Sequence, residues 1–119
     1  MKRCWISIKD NREFRRLYSR GKSAASATLV CYTRPNRLGV RRLGITASTK
    51  LGHAVVRNRV RRRIREIYRL HQEDLRDGAD LVVVARGLAT QVSYQRLDRD
   101  FCRLAKKLGL WRTQEGEER

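Results

Sequence analysis

Cysteine and histidine are scarce in this sequence of 119 residues, and their arrangement excludes several kinds of site. The three cysteines, Cys4, Cys31 and Cys102, are odd in number and form no CxxC pair, so we expect neither a disulfide framework nor a zinc site. Cys31 and Cys102 sit in apolar patterns, which favours core packing and a reducing, cytoplasmic setting. The two histidines, His53 and His71, lie far apart and have no evident partner.

Long apolar runs are missing as well. No run approaches the ~18 residues of a membrane-spanning helix. No apolar stretch of ~7–15 residues follows the basic N-terminus, so we expect no signal peptide. The sequence contains no internal repeat. Its length and its 40% apolar content suit one domain over 1–119, with an ordered core at about 8–110 and a polar tail at 112–119.

Acidic residues are few, and basic residues dominate the composition. The 29 lysines and arginines against 12 acidic residues give a formal net charge of +17. Charge of one sign on this scale repels itself in a compact fold, and a polyanionic partner relieves that repulsion. Nucleic acid is therefore the expected partner, ahead of an anionic membrane.

Capping residues and apolar spacing predict three helices. Asp10 and Glu13 indicate a capping box at the start of the first helix, and Gly21 marks its end. A long second helix is predicted at 54–73, where valines and isoleucines recur at spacings of four, four and three. A third helix follows Ser93, which is a good N-cap.

Segments rich in β-branched residues predict the strands. Those at 28–33 and 43–48 are expected to pair as an antiparallel hairpin across the turn at 35–39. The continuous apolar run at 81–85 is typical of a central strand covered on both faces. The predicted fold is an α/β (α+β) sandwich with one mostly antiparallel sheet of about four strands, in the order α-β-β-(β)-α-β-α.

The second helix carries the strongest functional signal. Its apolar residues fall on one side of a helical wheel, with Arg59 and Arg63 nearer the edge of that stripe. Crowding of like charge destabilises an isolated helix, which suggests that a polyanion binds the basic side. A solvated face without a specific partner is the alternative, but arginine, used here instead of lysine, matches phosphate oxygens and stacks on bases. The residues on the basic side are Arg57, Asn58, Arg61, Arg62, Arg65 and Arg69.

Aromatic residues make up 7% of the chain. Phe14 and Tyr18 on the first helix and Tyr32 on a strand are candidates for stacking on unpaired bases, as in single-strand RNA binding. A core position is the alternative for Phe14 and for Tyr32. Trp5 and Trp111 flank the domain and are assigned no function.

Residues 50–62, KLGHAVVRNRVRR, resemble the signature of the bacterial ribonuclease P protein family. The motif is long and specific. The resemblance extends over about 8–110 and includes Phe14, Tyr18 and Gly21 in the first helix and the strands at 43–45 and 80–86.

The resemblance implies a fold whose strand–helix–strand crossover is left-handed, against the usual rule. It implies a subunit of the enzyme that removes the 5′ leader of precursor tRNA, with catalysis by an RNA subunit and its Mg²⁺ ions. The expected partners are that catalytic RNA and precursor tRNA, and no cofactor is expected on the chain itself. Candidate RNA-binding residues are Lys50, Arg57, Asn58, Arg59, Arg61, Arg62, Arg65 and Arg69, and candidate leader-cleft residues are Phe14, Tyr18 and Tyr32.

Two other functions are weighed against this one. A general RNA-binding or ribosome-associated protein has a similar size and charge, and only the arginine motif argues against it. A protein-only nuclease needs clustered carboxylates that hold metal ions. We reject it and assign no catalytic residue, because the acids are scattered at Asp10, Glu13, Glu66, Asp77, Asp80 and Asp98.

Overall fold

The computed structural model describes residues 5–112, so Cys4 and the expected polar tail beyond residue 112 lie outside the described residues. Five strands and three α-helices make up this part of the chain. Single 3₁₀ turns precede and follow the second helix and precede the third. In chain order the elements are β1 Trp5–Ser7, α1 Asn11–Arg20, β2 Lys22–Ala25, β3 Leu29–Pro35, β4 Arg41–Thr46, α2 Ala54–His71, β5 Ala79–Ala85 and α3 Tyr94–Lys107.

The strands form one mixed sheet in the order β1-β4-β5-β3-β2. β4 runs parallel to both β1 and β5, whereas β3 runs antiparallel to both β5 and β2. The predicted hairpin between β3 and β4 is wrong, because β5 lies between these two strands. The predicted α+β class is correct, but the sheet has five strands instead of about four, β1 precedes α1, and two of the four strand pairings are parallel. The most apolar strand takes the centre, where both of its edges are hydrogen-bonded and both faces are covered.

β4, α2 and β5 form a parallel strand–helix–strand unit. Parallel neighbours cannot be joined by a tight turn, so the chain crosses the sheet through the long helix. This crossover brings the whole of α2 onto one face of the sheet. The left-handed crossover that the resemblance implies for this unit stays a prediction.

Helices cover both faces of the sheet. On one face, α2 and α3 pack against Leu81 and Val83 of β5 in the main core. On the other face, Leu17 of α1 packs against Val82 in a smaller cluster. The prediction of a central strand at 81–85 is thus confirmed. Among the described helices, none has the length and apolar character that crossing a bilayer requires.

Capping side chains fix the helix starts largely as predicted. The Asp10 carboxylate accepts a backbone N–H in the first turn of α1 at 2.9 Å. The Ser93 hydroxyl does the same for α3 at 3.1 Å. The capping-box role of Glu13 is wrong, because its carboxylate forms an ion pair with Arg42 on β4. α1 is therefore tied to the sheet by this ion pair as well as by its apolar side.

Candidate nucleic-acid interface

The orientation of α2 is set by the side chains that it buries. Val60, Ile64, Ile67 and Tyr68 are all about 2% exposed or less and face the sheet and α3. At ~100° per residue, the opposite side of the helix faces solvent. The basic or polar residues exposed on that side, all predicted to bind RNA, are Asn58, Arg59, Arg62 and Arg65.

The prediction that Arg59 lies near the edge of the apolar stripe is wrong, because Arg59 is exposed. Arg57 and Arg61, predicted on the basic side, are instead half-buried at the other edge. The reason is Tyr68, which joins the buried stripe and shifts its centre toward these two arginines. The sequence pattern of valine and isoleucine did not include this tyrosine.

The half-buried arginines of α2 donate to backbone carbonyls in neighbouring loops. These bonds hold the loop after β4 and the loop before α3 against the helix. Their guanidinium groups are thereby fixed in position while part of each remains accessible. The three bonds are Arg57 Nε to the Gly52 carbonyl at 3.2 Å, Arg61 Nη2 to the Ala47 carbonyl at 3.3 Å and Arg63 Nη1 to the Val92 carbonyl at 3.2 Å.

Two further contacts within α2 arrange its polar side. Arg61 Nη1 donates to Asn58 Oδ1 at 3.1 Å, so the exposed amide nitrogen of Asn58 remains available to donate outward. Arg69 pairs with Glu66 one turn earlier, and its hydrogen bond lowers the pKa of the Glu66 carboxyl. Arg69 is thus partly neutralised, unlike the arginines nearer the start of the helix.

Three arginines of α2 and one lysine just before it form a basic surface whose side chains are unpaired among the described residues. The side chains of Arg59, Arg62 and Arg65 make no hydrogen bond or ion pair within residues 5–112. Lys50, in the 3₁₀ turn before α2, is exposed and similarly unpaired within the described part of the chain. Unpaired guanidinium groups are free to bind phosphate oxygens in bidentate fashion. We call these four residues and Asn58 the arginine face.

The predicted aromatic residues lie on the opposite face of the sheet. The strand register places Gly44, Val82 and Tyr32 side by side in one row across β4, β5 and β3. A β-carbon on Gly44 would lie 2.8 Å from ring atoms of Phe14. The absence of a side chain at Gly44 therefore lets the Phe14 ring lie directly on the sheet. Phe14 is partly buried there and forms the floor of a cleft, which fits the alternative of a packing role for this residue.

Tyr18 and Tyr32 form the wall of this cleft. Their ring centroids lie 4.9 Å apart in an edge-to-face arrangement, and Tyr18 is 40% exposed. The Tyr18 hydroxyl lies 2.9 Å from the Thr46 hydroxyl. A shallow cavity of about 350 Å³ opens beside Tyr18, next to Arg15 and Phe14. We call the surface of Phe14, Tyr18 and Tyr32 the tyrosine cleft.

The arginine face and the tyrosine cleft meet at the carboxyl end of β4. Thr46, the last residue of that strand, contacts Tyr18. Ala47 accepts a hydrogen bond from Arg61, whose other terminal nitrogen donates to Asn58 of the arginine face. Two consecutive residues thus connect surfaces on opposite sides of the sheet. The sequence alone does not show this junction, because it depends on the crossover between β4 and α2.

Besides the cavity beside Tyr18, the structure has a basic cavity that the sequence did not predict. It has a volume of about 530 Å³ and lies between α1 and the ends of β3 and β4. Arg16, Arg34 and Arg42 line it, and Arg42 is already paired with Glu13 and with Asp80. No local motif marks these arginines, because they come from three separate elements that only the strand order brings together.

One group of potential metal ligands occurs among residues 5–112: His71, Asp98 and Cys102. His71 Nε2 lies 2.6 Å from Asp98 Oδ1, so the expectation that His71 has no partner is wrong. The sequence did not reveal the pair, because the two residues meet only where α2 packs against α3. Cys31 is buried and, like Cys102, is a free thiol.

The sequence matches known proteins over most of its length. The profile of the family described as Ribonuclease P matches residues 2–109. A ribonuclease P protein component from Clostridium botulinum is 42% identical over 105 residues, which is 87% of this chain and 95% of the relative. Its counterpart from Caldanaerobacter subterraneus is 42% identical over 108 residues, which is 91% of this chain and 93% of the relative.

Solved structures show the same fold. The RNase P protein of Staphylococcus aureus superposes with a TM-score of 0.82 at 34% identity, covering 88% of this chain and 96% of that protein. The RNase P protein of Thermotoga maritima superposes with a TM-score of 0.78 at 30% identity, covering 85% and 96%. A three-helix α+β fold with one five-stranded mixed sheet is therefore shared with these proteins.

Proposed function

This chain belongs to the ribonuclease P protein family, and on that premise we propose that its arginine face and its tyrosine cleft bind two different RNAs. The chain is a subunit of the endonuclease that matures the 5′ ends of tRNA, in which the RNA subunit is catalytic. The arginine face binds that catalytic RNA. The tyrosine cleft binds the single-stranded 5′ leader of precursor tRNA.

The arginine face suits a folded RNA because its cations are exposed and unpaired. Arg59, Arg62 and Arg65 span ~9 Å of helix and present their guanidinium groups on one side. Each can bind a phosphate, and the Asn58 amide can donate to a phosphate or a base edge. The anchored Arg57 and Arg61 keep the adjoining loop in place. Binding through this surface follows backbone shape more than base sequence.

The tyrosine cleft suits a single strand because it offers aromatic surface at a fixed position. Unpaired bases stack on aromatic rings, whereas bases in a duplex are already stacked on each other. Tyr18 keeps 40% of its surface exposed although both its hydroxyl and its ring are held by neighbours. Arg15 beside the cavity can neutralise a leader phosphate.

The magnesium ions of the reaction do not fit the side chains described here. Mg²⁺ prefers a shell of oxygen ligands. Within residues 5–112, the one candidate metal group offers a thiol and an imidazole with a single carboxylate. We therefore assign the reactive magnesium ions to the RNA subunit and no catalytic step to this chain.

The proposal rests on one structural observation, the junction of the two surfaces at Thr46 and Ala47. A subunit that joins catalytic RNA to substrate needs two RNA-binding surfaces in fixed relation. A general RNA-binding or ribosome-associated protein has no such requirement, and the family match excludes it as the main function. The expected cytoplasmic location stays a prediction.

Reconstituted cleavage of precursor tRNA at low magnesium tests this function. We expect no cleavage by the protein alone and efficient cleavage by the RNA subunit with the protein added. The RNA subunit alone is the control and should cleave poorly at low magnesium, because its phosphates then repel the substrate. Metal-dependent cleavage by RNA-free protein would contradict the assignment.

A further inference from the structure

Three potential metal ligands converge where the end of α2 packs on α3. His71 is the last residue of α2, and Asp98 and Cys102 lie one turn apart on α3. Cys102 Sγ lies 3.4 Å from His71 Nε2 and 3.6 Å from Asp98 Oδ1, and the nitrogen and oxygen are 2.6 Å apart. The imidazole and the Asp98 carboxylate remain partly exposed, at 22% and 34%, so an ion can reach them from solvent.

These separations can be compared with those of a tetrahedral zinc ion. Bonds of ~2.0–2.1 Å to nitrogen and oxygen and ~2.3 Å to sulfur place the ligand atoms of such an ion about 3.3–3.6 Å apart. Both distances from Cys102 Sγ already fall at these values. The hydrogen bond between His71 and Asp98 has to lengthen by ~0.7 Å, which a small rotation of an exposed carboxylate provides.

We propose that His71 Nε2, Asp98 Oδ1 and Cys102 Sγ form a zinc-binding site that joins the end of α2 to α3. A borderline-soft cation such as Zn²⁺ suits a set of thiolate, imidazole and carboxylate, whereas Mg²⁺ does not. Water fills the fourth position on the exposed side. The site lies apart from the arginine face and the tyrosine cleft, so it stands independently of the RNA-binding function.

The surroundings of the three ligands favour a cation. Asp74 Oδ2 lies 3.9 Å from His71 Nδ1, on the ring nitrogen that faces away from the proposed ion. At this distance the two groups form no hydrogen bond, but the negative charge of Asp74 beside the imidazole favours a bound cation. The rings of Phe101 and Trp111 flank His71, with centroids 6.5 and 5.4 Å away, and limit the positions that its imidazole can take. Two carboxylates around one histidine are notable in a chain whose net charge is +17.

Binding releases the thiol proton of Cys102. Cys102 is a free thiol without an ion, and zinc binds the thiolate form of the sulfur. Zinc forms a bond to sulfur as the S–H bond breaks, and the proton passes to solvent. No oxidant or reductant takes part.

Metal titration of the RNA-free, fully reduced protein tests the proposal. In competition with a chromophoric chelator, we expect one Zn²⁺ per chain with micromolar or tighter affinity. Co²⁺ in place of Zn²⁺ should give a sulfur-to-cobalt charge-transfer band and the intense visible bands of tetrahedral cobalt. Zinc at ~100 times its dissociation constant should raise the melting temperature by about 10 °C.

Matched variants assign the ligands. Cys102→Ser and His71→Gln should each weaken zinc affinity by at least tenfold and remove the thermal shift. Cys31→Ala and His53→Ala remove a thiol and an imidazole outside the cluster and should leave the zinc affinity and the thermal shift unchanged. Circular dichroism shows whether each variant is folded. If Cys102→Ser does not fold, His71→Gln, at the end of a helix, still tests the site.

Several results would overturn the site. One is the absence of stoichiometric zinc binding by the wild-type chain. Another is cobalt binding without a sulfur charge-transfer band. A third is equal affinity in the wild type and the His71→Gln variant, or loss of binding in the Cys31→Ala or His53→Ala controls. None of these results bears on RNA binding by the other two surfaces.

Discussion

The hydroxyl groups of Tyr18 and Thr46 lie 2.9 Å apart and join α1 to the carboxyl end of β4. Tyr18 is held at its hydroxyl by this bond and along its ring by Tyr32, yet it remains 40% exposed. An exposed aromatic ring normally samples several rotamers, and ordering it on binding costs free energy. The contacts with Thr46 and Tyr32 place the ring before the leader arrives.

Substitutions at Tyr18 should separate the ring from its hydroxyl. Tyr18→Ala removes the stacking surface and should weaken binding of leader-bearing precursor tRNA by about five-fold to a hundred-fold, since base–aromatic stacking contributes roughly 1–3 kcal/mol. Tyr18→Phe keeps the ring and loses one exposed hydrogen bond, so its effect should be less than ten-fold. Equilibrium binding to the reconstituted holoenzyme measures both. Equal losses in the two variants would show that the hydroxyl, not the ring, contacts the leader.

RNA affinity should depend steeply on salt because binding releases counterions from phosphates. With ~6 phosphate contacts, a plot of log affinity against log salt concentration should have a slope of about −4 or steeper. Arg62→Ala combined with Arg65→Ala should flatten that slope by about one unit or more. Filter binding to the isolated RNA subunit across a salt series gives the slope.

The control for this double variant removes the same charge elsewhere. Arg99 and Lys107 are exposed basic residues on α3, outside the arginine face. Their joint replacement by alanine should leave the slope within about half a unit of the wild type. If both double variants flatten the slope equally, RNA binding follows total charge and the arginine face has no special role.

The buried carboxylate of Asp100 should make stability depend on pH. Asp100 is 3% exposed, and its Oδ2 accepts hydrogen bonds from Thr28 Oγ1 at 2.6 Å and from Arg96 Nε at 3.1 Å. Burial alone would raise its pKa, but the hydrogen bonds from Thr28 and Arg96 and the nearby positive charge outweigh burial, so the pKa is lowered. The charged form therefore stabilises the fold above the unfolded pKa of ~4, and this contribution is lost as the pH falls toward the folded value.

Asp100→Asn should thus lower the free energy of unfolding by about 2 kcal/mol near pH 7, with a deficit that shrinks below about pH 4. Urea unfolding of both proteins at several pH values measures the difference. Asp77→Asn, at an exposed residue, is the control and should change stability little at any pH. A deficit of the same size at both ends of the pH range would mean that the loss of stability does not come from the charge of Asp100.

The elements predicted from the sequence are those with strong local signals. The helices followed from Asp10, Ser93 and the apolar spacing of α2, and the central strand followed from the apolar run at 81–85. β1 has three residues and β2 is composed of lysine, serine and alanine, so neither shows strand periodicity. Both lie at sheet edges, where tertiary pairing and not propensity creates the strand.

Pairing and helix orientation could not be predicted in the same way. β3 and β4 are neighbours in sequence but not in the sheet, because β5 lies between them. No local sequence pattern predicts the position of β5. The exposed position of Arg59 depends on Tyr68 being buried against Trp5, which lies 63 positions earlier in the sequence. Candidate site residues could be named from the sequence, and their roles stay predictions, whereas the junction at Thr46 and the contact between His71 and Asp98 required the fold.

The ratio of affinities for precursor and mature tRNA tests most directly whether the two surfaces bind different RNAs. In holoenzyme carrying Tyr32→Ala, affinity for leader-bearing precursor tRNA should fall by about five-fold to a hundred-fold, while affinity for mature tRNA and for the RNA subunit stays nearly unchanged. Arg62→Ala with Arg65→Ala should do the reverse, weakening assembly and leaving the ratio intact. Melting temperatures, measured alongside, show whether loss of the half-buried Tyr32 ring destabilises the fold. Equal losses for precursor and mature tRNA, at normal stability, would contradict the leader-binding role of the tyrosine cleft.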